Sequence, residues 1–542
     1  MEGVNGAEWK GARKSFSGLV AGSKGTACSC AGLRFRASLF AATGRALSKS
    51  CASFVLLLLL GVLGLILPQL RAEAQTLAGP VVTETRLPPN SLTDLVGTHT
   101  GSVTALDTKD QTGTQNDPTK YVQFGVPSGQ QYLGYQSFVV PTTISLSQVT
   151  SLQLMANVLA PSPSSDAFTW SIYNWSTASY ETLGNQNNCG GVTGLHTCSA
   201  DGQSFANWKW LQYNALEATL TNYVNSTTRE IRLQLASSNA SSYINVDWES
   251  VAVYSNKGAG AIFQPPVVYR WQYQLSSNAT LGSQFPVTQG INVNVCQVPF
   301  TGGACVTPDI IDFDFYEDQS ISGTNSFVYT TGAVQALHSS GRKAIGYVDA
   351  GDIEKVRPDY QQYVDFDNAC SGCLIGNPFS GFRGEFMLNI NNDKGQADFI
   401  RKMTQARTDR VAANGFDSVE YDVISNYQNK SGFTISYQTQ EDFNVSLTKI
   451  AHSDGLSVPL KSDNGQAQDA LTISSFDFVI DEQCNQYSFC NSYTGFQSAG
   501  KAIFNVEYKV STSKFCPTDN SMNFNGIYKG VQLYDLPWNP CR

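Results

Sequence analysis

The chain has 542 residues, 42% of them apolar and 15% charged, which is enough apolar material for large buried cores and too little charge for a disordered chain. Its net charge of −9 is uneven: residues 1–50 carry eight Lys/Arg against two Asp/Glu, leaving −15 for the remainder. So acidic a body repels a phosphate backbone, which excludes a nucleic-acid partner and favours a neutral or cationic one.

The basic leader runs into an apolar stretch, 51–67, closed by Pro68 and followed by Ala72-Glu73-Ala74. That stretch is short for a spanning helix, which needs about 20 residues, and the small residues after it suit a signal peptidase. Residues 1–75 are therefore expected to be a cleaved signal peptide or an uncleaved signal anchor. Either one exports the body, as a secreted protein or as one held at a membrane with its body outside.

Residues 76–256 read as short β-type runs between turn residues, for example Tyr121-Val122-Gln123-Phe124 and Phe168-Thr169-Trp170-Ser171-Ile172-Tyr173. The expectation is a jelly-roll-like β-sandwich. Its aromatics are numerous, and a carbohydrate-binding role is one reading of them. Trp170 and Trp248 lie inside strand patterns and are expected in the core. Trp208-Lys209-Trp210, beside Tyr213, is the candidate exposed platform.

A linker at 257–266, rich in Gly and Pro, precedes a change of grammar. Strand candidates at 267–275, 310–315, 343–349, 386–390, 417–422, 456–461, 476–482 and 501–507 alternate with helical patterns, as at 393–414 and 440–452. Residues 267–542 are thus expected to form a (β/α)8 TIM barrel, and a doubly wound open sheet is the alternative. The fold class is multidomain, β plus α/β.

Ten Cys beyond the leader fall into close neighbours: Cys189/Cys198, Cys296/Cys305, Cys370/Cys373, Cys484/Cys490 and Cys516/Cys541. Local disulfides made in an oxidising compartment fit this spacing. A zinc or redox motif at Cys370-Ser371-Gly372-Cys373 is the rival, without a second CxxC to complete a zinc site. Sequons at Asn174, Asn225, Asn239, Asn278, Asn429 and Asn444 imply a glycosylated surface.

Acids close most of the barrel strands: Asp312, Asp314 and Glu317, then Asp349, Glu420 with Asp422, Asp463, Asp481 with Glu482, and Glu507. In a barrel those ends share one opening. With four scattered His, no metal is expected, and no nucleotide-cofactor motif is present either. Paired carboxylates point to glycoside hydrolysis, with calcium binding as the competing use of the same acids. Glu420 and Asp422, two apart on a strand, face the same way.

The stretch from Trp271 to Tyr508 resembles glycoside hydrolase family 114, the endo-α-1,4-polygalactosaminidase type. The carrying segments include Trp271-Gln272-Tyr273, Gly346-Tyr347-Val348, Arg357-Pro358-Asp359, Gly384-Glu385, Asn414-Gly415-Phe416-Asp417, Leu460-Lys461 and Asp481-Glu482-Gln483-Cys484. The resemblance implies a retaining hydrolase with Asp422 as nucleophile and Glu482 as acid/base. It implies sugar-stacking walls at Trp271 and Tyr347, with Asp349, Glu420 and Lys461 lining the subsite. Asp463, Glu507 and Tyr508 complete the expected substrate contacts, and no cofactor is implied. The expected partner is a cationic amino-sugar polysaccharide cleaved internally. Alternatives are a non-catalytic polysaccharide-binding surface protein and a glycosidase acting on another galactose-type polymer. Where the family usually reads Glu-Pro-Asp-Asn, this chain has Glu420-Tyr421-Asp422-Val423.

Overall fold

A computed structural model describes residues 81–125, 130–162, 166–186, 208–215, 220–258, 261–276, 288–316 and 329–542. The leader, the Cys189/Cys198 pair, the Asn278 sequon, Glu317 and part of the linker lie outside them. Among the described residues, no helix is long and apolar enough to cross a membrane.

The first part consists of two antiparallel sheets. One joins Val82–Leu87, His99–Thr100, Val122–Phe124, Val149–Ser162, Lys209–Ala215 and Tyr243–Asn256. The other joins Ser91–Val96, Leu133–Val139, Phe168–Asn174, Ser179–Asn185 and Glu230–Ser237. Strict alternation along Glu230–Ser237 buries Ile231, Leu233 and Leu235 against Phe138, Leu154 and Trp170 and turns Arg232 and Gln234 outward. Trp170 and Trp248 are core residues as expected, and the Trp170 indole donates to Glu249 Oε1 at 2.7 Å. Trp208 is not an exposed platform: it is 4% exposed, and its indole donates to the Gln115 carbonyl. Tyr213 beside it is buried too. Instead, Tyr135, Tyr173 and Trp175 gather around Arg232 on the half-exposed face of the second sheet.

Tyr243–Asn256 is buried on both faces, because its outer side packs on the second part of the chain. Met155, Ala252 and Tyr254 join one apolar cluster with Met403 and Val411 of the helix Gln396–Ala413. Polar groups stitch the same seam. Arg410 is fully buried, donates to Asn214 Oδ1 at 2.9 Å and lies 3.8 Å from Asp359. Arg407 grips Asp359 through two bonds of 2.9 and 2.7 Å.

The second part contains eight parallel strands among the described residues: β1 Trp271–Tyr273, β2 Ile310–Asp314, β3 Lys343–Asp349, β4 Ser418–Asp422, β5 Pro459–Lys461, β6 Phe478–Glu482, β7 Ile503–Glu507 and β8 Asn525–Lys529. They pair in the orders β1-β2-β3-β4 and β5-β6-β7-β8, and Ser418 of β4 bridges in parallel to Ser457, just before β5. Trp271, Ile345, Phe478, Phe504 and Ile527 share one apolar cluster drawn from both sets.

Two strands differ from expectation. The candidate at 386–390 is Glu385–Leu388, which belongs to a separate antiparallel sheet with Asp352–Glu354 and Ile375–Pro378. Its short apolar run has the composition of a buried parallel strand without the position of one. The true eighth strand, Asn525-Gly526-Ile527-Tyr528-Lys529, was hidden by its polar ends. Those ends are buried but bonded: Lys529 Nζ donates to Gln272 Oε1 at 2.9 Å and to the Tyr534 carbonyl at 2.6 Å.

Disulfides close Cys296–Cys305, Cys370–Cys373, Cys484–Cys490 and Cys516–Cys541. The bonded Cys370–Cys373 pair leaves no thiolates for a zinc site there. Two sequons are unusable in the folded chain. Asn174 bonds to Glu181 and Ser176, Asn444 bonds to Gln440 and Gln466, and both side chains are buried.

Replacing Arg410 by Ala strips the seam of its bond to Asn214 and opens a cavity. The expected loss is ~3–5 kcal/mol, read from denaturant unfolding against the unaltered protein.

Candidate active site

The C-terminal ends of the parallel strands carry the polar side chains. The period of two on each strand sorts them into layers. Trp271 lies in the lower, apolar layer: it is 1% exposed, stacks on Phe504 with ring centres 5.2 Å apart, and donates its indole N–H to the Asn525 carbonyl. Its expected role as a sugar-stacking wall is therefore wrong, since neither face is free. Tyr273, two residues on, reaches the polar layer, and Tyr347 is half-exposed there.

Lys461, at the end of β5, is the centre of that layer. Its buried ammonium lies 2.8 Å from Glu420 Oε1, 2.9 Å from Asp422 Oδ1 and 3.2 Å from Glu482 Oε1, and donates to Tyr273 Oη at 3.1 Å. Burial would lower the Lys461 pKa, but Asp422 and Glu420, with Tyr273 and Glu482 behind them, hold it well above its ordinary value.

Asp422 also accepts from Tyr347 Oη at 2.8 Å and from the Val423 N–H at 2.7 Å. Burial would raise its carboxyl, yet the Lys461 charge and these hydrogen bonds keep it below the ordinary carboxylate range. The arrangement favours its ionised form. Glu482 is the more open of the two, with 31% of its side chain exposed, and it is hydrogen-bonded to the Tyr508 hydroxyl. Beneath them Glu420 is wholly buried.

Each of these three strand ends turns through a strained residue. Val423, Ser462 and Gln483, the residues directly after Asp422, Lys461 and Glu482, all have left-handed backbone, with φ of 55°, 49° and 66°. None is Gly, so each costs of order 1–3 kcal/mol that the surroundings must offset. Gly351 shows how tightly the Val423 turn is held, because a Cβ there would sit 1.6 Å from the Val423 carbonyl oxygen.

The remaining expected contacts divide. Asp349, in register with Asp422, is held by Arg357 at 3.1 Å, and Arg357 also reaches Asp314 at 2.7 Å. Asp463 and Glu507 do not join the Lys461 cluster through any described bond. Asp463 accepts from Tyr427 at 3.1 Å and Gln428 at 3.0 Å, Glu507 accepts from the Asn485 N–H at 2.8 Å, and burial pushes both up to about 7. Asp481 points away to Tyr493 at 2.6 Å. Glu385 is pushed up to about 8 by burial and by the charges of Asp349 and Asp422.

Sequence reasoning missed Tyr273 and Arg357 as site residues. Their signal was available: Tyr273 lies two positions after Trp271, and Arg357 is the basic residue between two acid-rich turns. The departure at Tyr421 leaves the Lys461 cluster untouched. That side chain faces outward and bonds to Thr408 at 2.7 Å, so its neighbours Glu420 and Asp422 keep their direction.

Residues 253–540 match the family model for glycoside-hydrolase family GH114, and residues 106–192 match that for an N-terminal glycosyl-hydrolase-114-associated domain. Among solved structures, the chain is similar to Ega3 of Aspergillus fumigatus in complex with galactosamine, at 24% identity and a TM-score of 0.39, covering 51% of this chain and 97% of that one. It is also similar to the glycoside hydrolase domain of PelA from Pseudomonas aeruginosa, at 10% identity and a TM-score of 0.33, covering 49% and 96%. No curated protein matches.

Two variants test the geometry. Gly351→Ala must shift the Asp422–Val423 turn, and a displacement near 1 Å is expected to cost about a hundredfold in kcat/KM with the fold retained by circular dichroism. Lys461→Met removes the charge that holds Asp422 down, so the acid limb of the kcat/KM profile should move to higher pH.

Proposed function

The chain belongs to glycoside hydrolase family 114, and from that membership we propose that it is an exported enzyme cleaving an α-1,4-linked galactosamine-containing polysaccharide internally. The observation that carries the reading is the single ammonium of Lys461 joined to two strand-end carboxylates, Asp422 and Glu482. Asp422, kept anionic, is the nucleophile on the anomeric carbon. Glu482, more exposed and bonded to Tyr508, first protonates the leaving oxygen and then activates the water.

Bonds of 2.9 and 3.2 Å to one nitrogen bound the separation of the two oxygens at about 6.1 Å or less. That favours retention, where the carboxyls lie roughly 5–5.5 Å apart, over inversion, where they lie about 6.5–9.5 Å apart. The acidity of the chain beyond residue 50, with its net −15, supports a substrate bearing free ammonium groups. Tyr347 is the remaining candidate wall for a sugar ring.

In this reading residues 267–542 are the catalytic part, a closed (β/α)8 barrel, and residues 76–256 a jelly-roll module. The module's aromatic cluster around Arg232 is the better candidate for polysaccharide contact than Trp208. The altered Glu420-Tyr421-Asp422-Val423 motif suggests a non-catalytic surface lectin as the alternative, and the bond of Tyr421 to Thr408, away from the acids, supports the catalytic reading.

Glu482→Gln is expected to lower turnover of galactosamine oligomers by about 10²–10⁴-fold while leaving folding intact, with products followed by mass spectrometry. Unchanged turnover would overturn the assignment. Binding of oligomers by the unaltered protein without new reducing ends would favour the lectin.

A further inference from the structure

Beneath the Lys461 centre lies a carboxyl group that the mechanism above does not use. Asp312, on β2, and Glu420, on β4, are both fully buried, and their carboxyl groups face one another. No N–H or hydroxyl of the described residues reaches Asp312 Oδ1, Asp312 Oδ2 or Glu420 Oε2. Two bare carboxylates in contact, away from water and without donors, would repel strongly. One proton between them removes the repulsion and supplies the missing hydrogen bond.

The surroundings decide which residue holds it. Glu420 Oε1 faces the Lys461 ammonium at 2.8 Å and accepts from Tyr273 Oη at 3.2 Å, so the negative charge is best placed on Glu420. Asp312 has no cation in direct contact among the described residues. The other charged groups facing the pair, Asp422 on β4 and Glu482 on β6, are acids that share the same Lys461.

We propose that Asp312 is a neutral carboxylic acid in the working enzyme, donating its proton in a hydrogen bond to Glu420 Oε2, and that it is a positioning residue for the reaction. It rests on the hydrolase reading only for its kinetic consequence. With Asp312 neutral, Glu420 carries one negative charge, draws Lys461 down to 2.8 Å, and leaves that ammonium to orient Asp422 and Glu482. With Asp312 ionised, a fourth carboxylate would compete for one ammonium, and Lys461 would be drawn from the nucleophile. Burial, and after it the neighbouring Glu420 charge, pushes Asp312 well above its ordinary value, in agreement with the geometry.

The test is infrared difference spectroscopy on the full chain at neutral pH. The wild-type protein should show the carbonyl stretch of a protonated carboxylic acid that is absent from Asp312→Asn. Glu420→Gln should lose the same band, because its amide then donates to an ionised Asp312. A band unchanged in either folded variant overturns the shared proton. Kinetics supply the second readout. Asp312→Ala should lower kcat by about ten- to a hundredfold with KM within about threefold, and Asp312→Asn, whose amide donates the same bond, should recover most of that loss. Asparagine as slow as alanine would overturn the positioning role. If the wild-type protein fails to cut galactosamine oligomers while the band is still lost in both variants, the proton assignment stands and only the substrate reading falls.

Discussion

One ammonium group organises the functional end of this molecule. Lys461 is withdrawn from water and held by three carboxylates and a phenol, supplied by three different strands. A buried cation with a single partner would be a liability, because desolvation costs more than one contact returns. Surrounded by several oxygens, it stays charged and fixes their spacing. The acids are close together because the lysine is there, and the lysine remains an ion because the acids are. Neither half of that arrangement is stable without the other.

The seam between the two parts works by the same rule at larger scale. Tyr243–Asn256 has no solvent-facing side, so its outward residues had to be either apolar or fully bonded. Tyr254 and Ala252 meet the first condition, and beside them Arg410 of the facing helix donates to Asn214 Oδ1 and lies 3.8 Å from Asp359. This explains why a strand that reads as an ordinary member of a sandwich is buried along nearly its whole length. Its second covering layer comes from a helix about 150 residues further along, which no local pattern reveals.

Part of the site was legible in the sequence because strand ends advertise themselves: an apolar run followed by an acid, repeated along the chain, singles out Glu420, Asp422 and Glu482, which the structure gathers around Lys461, a residue only the family resemblance pointed to. Depth was not legible. Trp271 and Tyr273 face the same way, and only the stacking partner Phe504 distinguishes the floor from the pit. Asp463 and Glu507 look like rim acids in sequence, yet loop amides and hydroxyls have already claimed their oxygens. The strand at 386–390 was misread and Asn525–Lys529 overlooked for a shared reason. Hydrophobicity reports burial, whereas membership of a sheet depends on where a segment's backbone bonds go, and Lys529 is buried because three acceptors, Gln272, Tyr534 and Asp535, receive it.

The left-handed residues Val423, Ser462 and Gln483 set a limit on how this scaffold can drift. Elsewhere in a protein, exchanging such a residue for glycine is a cheap route to heat resistance, since the torsional penalty disappears. Here a glycine would also widen the repertoire of the peptide that aims each reacting group, trading aim for durability. Lineages selected for longevity in harsh surroundings and lineages selected for speed should therefore diverge at these three hinges before they diverge at the acids themselves.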